Sequence, residues 1–198
     1  MTIFRRIAIL LIGIALWSAS SPAWATTYQI DSNHTTVGFK VRHLFSYVRG
    51  TFDTFEGSFD YVPDHPEQWQ VAATIQADSI DTRVADRDKH LRSADFFDVG
   101  KYPAITFKST SVTDATPTSA KLHGLLSIHG VEQPVVLDLA IHGEGHEGSM
   151  GLRSGFTAIT TINRKTFGLT WNKVVESGQL LVGEDVEITL DIEGVAKS

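Results

Sequence analysis

Hydrophobic and polar residues alternate along most of this chain with the period of two that is typical of β-strands. In segment 35–44, Val37, Phe39 and Val41 fall on one face, whereas Lys40 and Arg42 fall on the other. About eight segments alternate in this way: 35–44, 50–61, 70–77, 104–112, 120–128, 134–142, 151–162 and 185–195. Turn-forming residues separate the segments. The pattern therefore predicts an all-β domain.

One strand is predicted to be irregular. In segment 50–61 the apolar face changes parity between Phe52 and Phe55, and returns to regular alternation through Phe59 and Tyr61. An extra residue in one strand shifts the alternation by one position. We therefore predict a β-bulge near residues 53–54.

Strands with one apolar face each form either a β-sandwich or a closed barrel. A closed barrel of about eight strands has no free sheet edge and can enclose a small ligand. We predict an eight-stranded antiparallel barrel whose inward-facing residues line an apolar, ligand-binding channel. These residues are Val37, Phe39, Val41, Phe52, Phe59, Val71, Ile75, Phe107, Leu122, Leu126, Leu139, Phe156 and Leu190. The alternation fits an open channel and a filled core equally.

Segment 78–109 is a long, charge-dense interruption of the alternation. We predict a short helical insertion near residues 84–98, capped by Asp86 and running through His90. Phe96 and Phe97 offer apolar bulk that can close one end of the barrel. The segment is therefore predicted to form a lid across the barrel.

Residues 1–25 have the features of a cleaved secretory signal. Arg5 and Arg6 precede an apolar run that ends at Trp17, and Ala23 and Ala25 form a small-x-small cleavage site. The run has about 11 residues, whereas roughly 20 are needed to cross a bilayer. We therefore predict an exported protein without a stable membrane anchor. Its mature chain is a single domain, residues 26–198.

Composition narrows the choice of partners. Residues 1–25 hold two of the 17 basic residues and none of the 23 acidic ones, so the remaining chain has a net charge of −8 with histidine neutral. Such a charge argues against nucleic acid or an anionic membrane as the main partner. The chain has no cysteine, so its stability must come from a core rather than from disulfides.

Neither a metal site nor an active site is predicted. His142 and His146 are the closest pair of histidines, but on a strand they would lie about 13 Å apart, too far for one ion. No nucleophile motif or phosphate-binding loop occurs in the sequence. The run that contains Arg87, Asp88 and His90 is the best candidate for acid–base chemistry. It fits a salt-bridged helical turn better, so we predict that the protein is not an enzyme.

Several ordered motifs give this chain a family resemblance. The most specific is Ser79-Ile80-Asp81-Thr82, followed by residues 87–98. Matching residues also occur at 28–35, 37–44, 48–52, 55–57, 102–107, 124–131, 162–164 and 167–169. With these motifs the chain resembles the YceI-like family of polyisoprenoid-binding, lipocalin-like periplasmic proteins. The similarity covers essentially the whole mature chain.

The resemblance implies an elongated, lipocalin-like, eight-stranded barrel in the periplasm that holds an isoprenoid chain or another amphiphilic lipid. An isoprenoid quinone is the first candidate. The family offers no agreed catalytic residues, and no cofactor is implied apart from the bound lipid. A homodimer is one assembly that the sequence leaves open. Two alternatives remain at this point: a structural or stress-related barrel without a ligand, and an enzyme acting on an isoprenoid lipid.

Overall fold

The computed structural model describes residues 25–146 and 148–197, so the predicted signal segment lies outside the described residues except for Ala25. Within this part of the chain the secondary structure is almost entirely β-sheet. The elements are β1 Thr26–Ile30, β2 Thr36–His43, β3 Ser46–Phe52, β4 Phe55–Tyr61, β5 Gln70–Gln76, β6 Ile80–Asp81, α1 Ala85–Arg92, β7 Ala104–Thr113, β8 Ser119–Ile128, β9 Val131–His146, β10 Leu152–Asn163 and β11 Val182–Ala196. Short 3-10 turns lie at Pro66–Gln68, Ala77–Ser79, Gly148–Met150 and Arg164–Phe167.

The sheet closes on itself. Its order is β1-β4-β5-β7-β8-β9-β10-β11, and β11 pairs back onto β1. Tyr28 takes part in the closure because it lies opposite Phe59 of β4 and Ala196 of β11. Every pairing is antiparallel. The predicted eight-stranded antiparallel barrel is confirmed.

The three remaining segments continue strands of the barrel. β1 and β2 lie one after the other along β11, β2 opposite its residues 182–191. The predicted β-bulge near residues 53–54 is instead a break between two strands, β3 and β4. β6 continues β5 after a 3-10 turn and pairs with β3. The alternation did not predict β1, whose five residues contain one large buried side chain, Tyr28.

Inward-facing side chains pack in three layers along the barrel axis. At one end Tyr28 stacks on Phe59 with ring centroids 5.0 Å apart, and Phe156 meets Phe59 edge to face. Leu122, Leu137 and Ala158 form the middle layer. The other end contains Phe52, Leu126, Ile128, Ile162 and Phe167. Offset-stacked and edge-to-face pairs are the favourable geometries for aromatic rings, so the rings of the first layer stabilise one another.

The helix of the predicted insertion is present, but its capping differs from the prediction. α1 begins at Ala85, and its capping residue is Val84, which provides no side-chain hydrogen bond. Asp86 lies inside the first turn, so the prediction that it caps the helix was wrong. Asp88 instead anchors the residues that precede the helix, because its carboxylate accepts hydrogen bonds from the backbone N–H and the hydroxyl of Thr82.

None of the helices in the described residues is long and apolar enough to span a membrane.

Candidate functional site

A cavity of about 240 Å³ extends along the inside of the barrel. All of the predicted channel residues line it, from Val37 on β2 to Leu190 on β11. The alternation therefore assigned the inward face of every one of these strands correctly. Contact of these side chains with a ligand stays a prediction.

The cavity is elongated because its lining comes from all three layers. Along β10, Phe156, Ala158 and Ile162 line it in succession. At a rise of roughly 3.3 Å per residue, Phe156 and Ile162 lie about 20 Å apart along the strand. The shape therefore suits a chain-like apolar ligand better than a compact one.

The lid segment closes one end of the cavity. Leu91 at the end of α1, with Phe96 and Phe97 after it, contributes to the lining. Phe97 meets Phe52 edge to face with centroids 5.7 Å apart, and Phe96 packs against Trp171 at 5.1 Å. The two phenylalanines therefore occupy the position predicted for them.

Few lining residues are charged, and only one of these is buried. Glu56 and Asp60 are in contact with solvent, whereas Arg164 is 4% exposed. Arg164 begins the 3-10 turn after β10. The prediction missed it, since the alternation ends with the strand. Its presence in the family motif at 162–164 was the available signal.

The guanidinium of Arg164 is held by backbone carbonyls. Its Nε donates to the carbonyl of Gly183 at 2.9 Å, and Nη1 donates to the carbonyls of Trp171, also at 2.9 Å, and Leu169. Its Nη2 is buried and has no hydrogen-bond partner among the described residues. Burial lowers the pKa of Arg164, because desolvation disfavours the charged form.

The candidate acid–base group lies outside the cavity. Arg87 donates to the hydroxyl and carbonyl oxygens of Thr82 at 2.7 and 2.8 Å, so together with Asp88 it fixes the chain that leads into α1. His90 lies 2.8 Å from a carboxylate oxygen of Asp95. Arg87, Asp88 and His90 do not line the cavity. Their contacts make them part of the lid's own structure.

On β9, His142 is hydrogen-bonded to the hydroxyl of Thr157 at 2.9 Å. Elsewhere, Asp31, His34 and Glu193 place one ligand atom each within 4.8 Å of one another. Arg153 donates to the carboxylates of Asp31 and Glu193. Hydrogen bonds from His34 and Arg153 lower the pKa of Asp31 to about 2. This cluster is therefore an ion-pair network that ties the β1–β2 connection to β10 and β11.

A closed antiparallel barrel with an elongated apolar cavity is the architecture of a lipocalin-like protein. Residues 28–194 match the YceI-like domain, so this chain belongs to the YceI-like family. A UPF0312 protein of Pseudomonas paraeruginosa is 38% identical over 194 residues, which cover 96% of this chain and 97% of the relative.

Solved structures agree with this assignment. The YceI protein of Campylobacter jejuni is 30% identical and superimposes with a TM-score of 0.68, covering 85% of this chain and 96% of that one. A domain from Saccharophagus degradans, described as a polyisoprenoid-binding domain implicated in plant cell wall breakdown, shares the fold with a TM-score of 0.63. It is 14% identical, and the match covers 87% of this chain and 99% of that domain.

Proposed function

We propose that this protein is a periplasmic carrier that holds a polyisoprenoid or another amphiphilic lipid in the barrel, with an isoprenoid quinone as the first candidate. The elongated apolar cavity is the observation that carries the proposal. The solved domain described as polyisoprenoid-binding, which shares this fold, supports the choice of lipid.

Burial of the lipid chain supplies enough free energy for binding without any catalytic group. Each methylene transferred from water into an apolar interior contributes about 0.8 kcal/mol. A prenyl or acyl chain packed against phenylalanine and leucine side chains can thus bind tightly. The carrier would shield such a chain from water between its donor and its acceptor.

Lipid extraction tests the proposal directly. The protein is purified from its native host without detergent and extracted with organic solvent, and the extract is analysed by mass spectrometry. We expect about one prenyl or acyl lipid per barrel. Protein denatured, washed with solvent and refolded serves as the control, and it should regain the lipid when the lipid is added back. Native protein that yields no such lipid would contradict the carrier function.

The cavity volume favours a second candidate, the ligand-free structural barrel. About 240 Å³ is below the roughly 300–1,000 Å³ typical of small-molecule pockets. A carrier must therefore move side chains apart to load a long chain. Titrating refolded protein with farnesol separates the two functions, because a carrier gains thermal stability with increasing farnesol, whereas a filled barrel does not.

Light scattering on the loaded material distinguishes a monomer from the homodimer.

Export is the remaining part of the proposal, and it rests on residues 1–25. Protein produced from the full sequence in a Gram-negative host should be recovered from the periplasmic fraction, with Thr26 as its first residue by N-terminal sequencing. Ala23→Arg, which replaces a small residue of the cleavage site, should leave the precursor uncleaved. Cytoplasmic accumulation of the uncleaved wild-type chain would contradict export.

A further inference from the structure

One buried polar side-chain atom has no hydrogen-bond partner among the described residues that line the cavity. Nη2 of Arg164 is buried and has no acceptor among the described residues, although Arg164 lines a mostly apolar cavity. A buried donor without an acceptor is costly, because it has lost its hydrogen bonds to water. Such a group in a binding cavity indicates that the missing acceptor arrives with the ligand.

The charge of Arg164 is also uncompensated at close range. No carboxylate of the described residues lies within ion-pair distance of its guanidinium. Glu184, whose charge acts on Arg164 from further away, forms its own ion pair with Lys165 at 3.0 Å. The side chain of Glu184 is 38% exposed, so water screens it. An oxygen with negative or partly negative charge would therefore be attracted to Nη2.

The position of the guanidinium is fixed before any ligand binds. Three backbone carbonyls, of Gly183, Leu169 and Trp171, hold Nε and Nη1. The group lies beyond Ile162, at the end of the cavity that Leu91 and Phe97 of the lid also line. The opposite end, around Phe156, is aromatic. The lid end thus has a buried cationic donor, whereas at the aromatic end the lining donors are the neutral hydroxyl of Tyr61 and the indole N–H of Trp69, which already donates to the carbonyl of Val62 at 2.6 Å.

We infer that Arg164 is the head-group site of the cavity and donates a hydrogen bond from Nη2 to an oxygen acceptor on the lipid head, with the tail extending toward Phe156. This inference rests on the proposed lipid-binding function and adds to it the chemistry of the head and the orientation of the ligand. A quinone carbonyl and a carboxylate both provide the required acceptor.

Arg153, on the strand β10 that precedes Arg164, has different partners. It too is mostly buried and has an unpartnered Nε, but its guanidinium binds the carboxylates of Asp31 and Glu193. It does not line the cavity. Arg153, whose contacts are structural, thus has two acid partners, whereas Arg164 has none among the described residues.

Three ligands with similar prenyl tails test the inference on the wild-type protein: farnesoic acid, farnesylacetone and farnesene. Affinities are measured by displacement of a fluorescent lipid from delipidated protein. We expect at least one of the two oxygen-bearing ligands to bind tenfold or more tighter than farnesene. Preference for the acid indicates an anionic head, and equal preference for the ketone indicates a carbonyl. If farnesene binds as tightly as the acid and the ketone, the head-group site is wrong, but the proposed lipid-binding function stands. Failure of all three to bind would overturn the proposed function, and this site with it.

Variants then test whether Arg164 causes the preference for oxygen-bearing ligands. Arg164→Gln should lose the preference for the acid and the ketone while keeping its affinity for farnesene, and Arg164→Lys should keep part of the preference for the acid. Arg153→Gln is the matched control and should retain the wild-type order. A folded Arg164→Gln that still prefers oxygen-bearing ligands contradicts the assignment. If Arg164→Gln does not fold, the wild-type ligand series decides.

Discussion

The ring of Phe107 lies directly over Gly124 on the neighbouring strand, where a Cβ atom added to the glycine would stand 2.3 Å from the ring's Cζ. Phe39 approaches Gly50 on its neighbouring strand in the same way, and Phe59 approaches Gly194 across β1, at 2.5 Å in each case. A glycine in a strand interior often marks a place where another group approaches closely. Three inward phenylalanine rings therefore owe their positions in the cavity wall to glycines.

Gly124→Ala should destabilise the barrel and reduce loading. The new methyl group would press Phe107 toward the cavity, and it would also stand 2.7 Å from the backbone carbonyl of Lys108, which cannot move aside easily. Overpacking of this kind costs about 1–3 kcal/mol. Urea unfolding measures the loss, and lipid extraction measures the loading. Gly100→Ala is the control, because nothing lies within 4 Å of its added methyl group. Equal stability of both variants would contradict the close contact.

Phe107→Asp should abolish lipid loading. The substitution places an unpaired carboxylate on the wall of the cavity, where desolvation of the charge is expensive and the ring's contact with a prenyl chain is lost. Thr106→Asp, at the exposed adjacent position of β7, should load normally. Lipid per barrel, determined after circular dichroism has shown both variants folded, is the measurement. A folded Phe107→Asp that loads fully would show that the ligand does not reach this residue.

Asp88→Ala should loosen the lid without touching the cavity wall. Asp88 is buried and accepts hydrogen bonds from both the N–H and the hydroxyl of Thr82. Removing the carboxylate leaves these buried donors unsatisfied, at a cost of about 1–3 kcal/mol. Hydrogen exchange should rise in segment 82–102, and lipid should dissociate faster. The exposed Asp86→Ala is the control, since Asp86 lies in the same helix. Unchanged exchange in Asp88→Ala would contradict this role.

The features of the fold that depend on local sequence pattern, such as the inward face of each strand, could be predicted. Alternation placed Val37, Leu122 and Leu190 on the cavity wall, because a strand sends every second side chain to one face. It could not predict β1, where closure pairs Tyr28 with Ala196 from the far end of the chain. The alternation also missed Arg164, for a related reason. Its contacts to the carbonyls of Gly183 and Trp171 depend on a chain path that is set by tertiary packing.

The ion-pair network around Asp31 should make stability depend on pH below about pH 4. Hydrogen bonds from His34 and Arg153 lower the pKa of Asp31 from 3.8 to about 2 in the folded protein. The folded state therefore keeps the carboxylate charged where the unfolded chain binds a proton. This contribution is fully present above pH 3.8 and is lost as pH falls through about 2.

Urea unfolding midpoints between pH 7 and pH 2 measure this dependence, and Asp31→Asn isolates it. The pKa of Glu184 and that of Glu67 are also lowered, by Lys165 and by local hydrogen bonds respectively, so the wild-type profile contains other groups. The variant should be less stable than wild type at pH 7, because Arg153 loses one of its two acid partners. The difference between the two proteins should shrink as the pH approaches 2. A difference that stays constant from pH 7 to pH 2 would mean that the ionised carboxylate of Asp31 contributes nothing to the folded state.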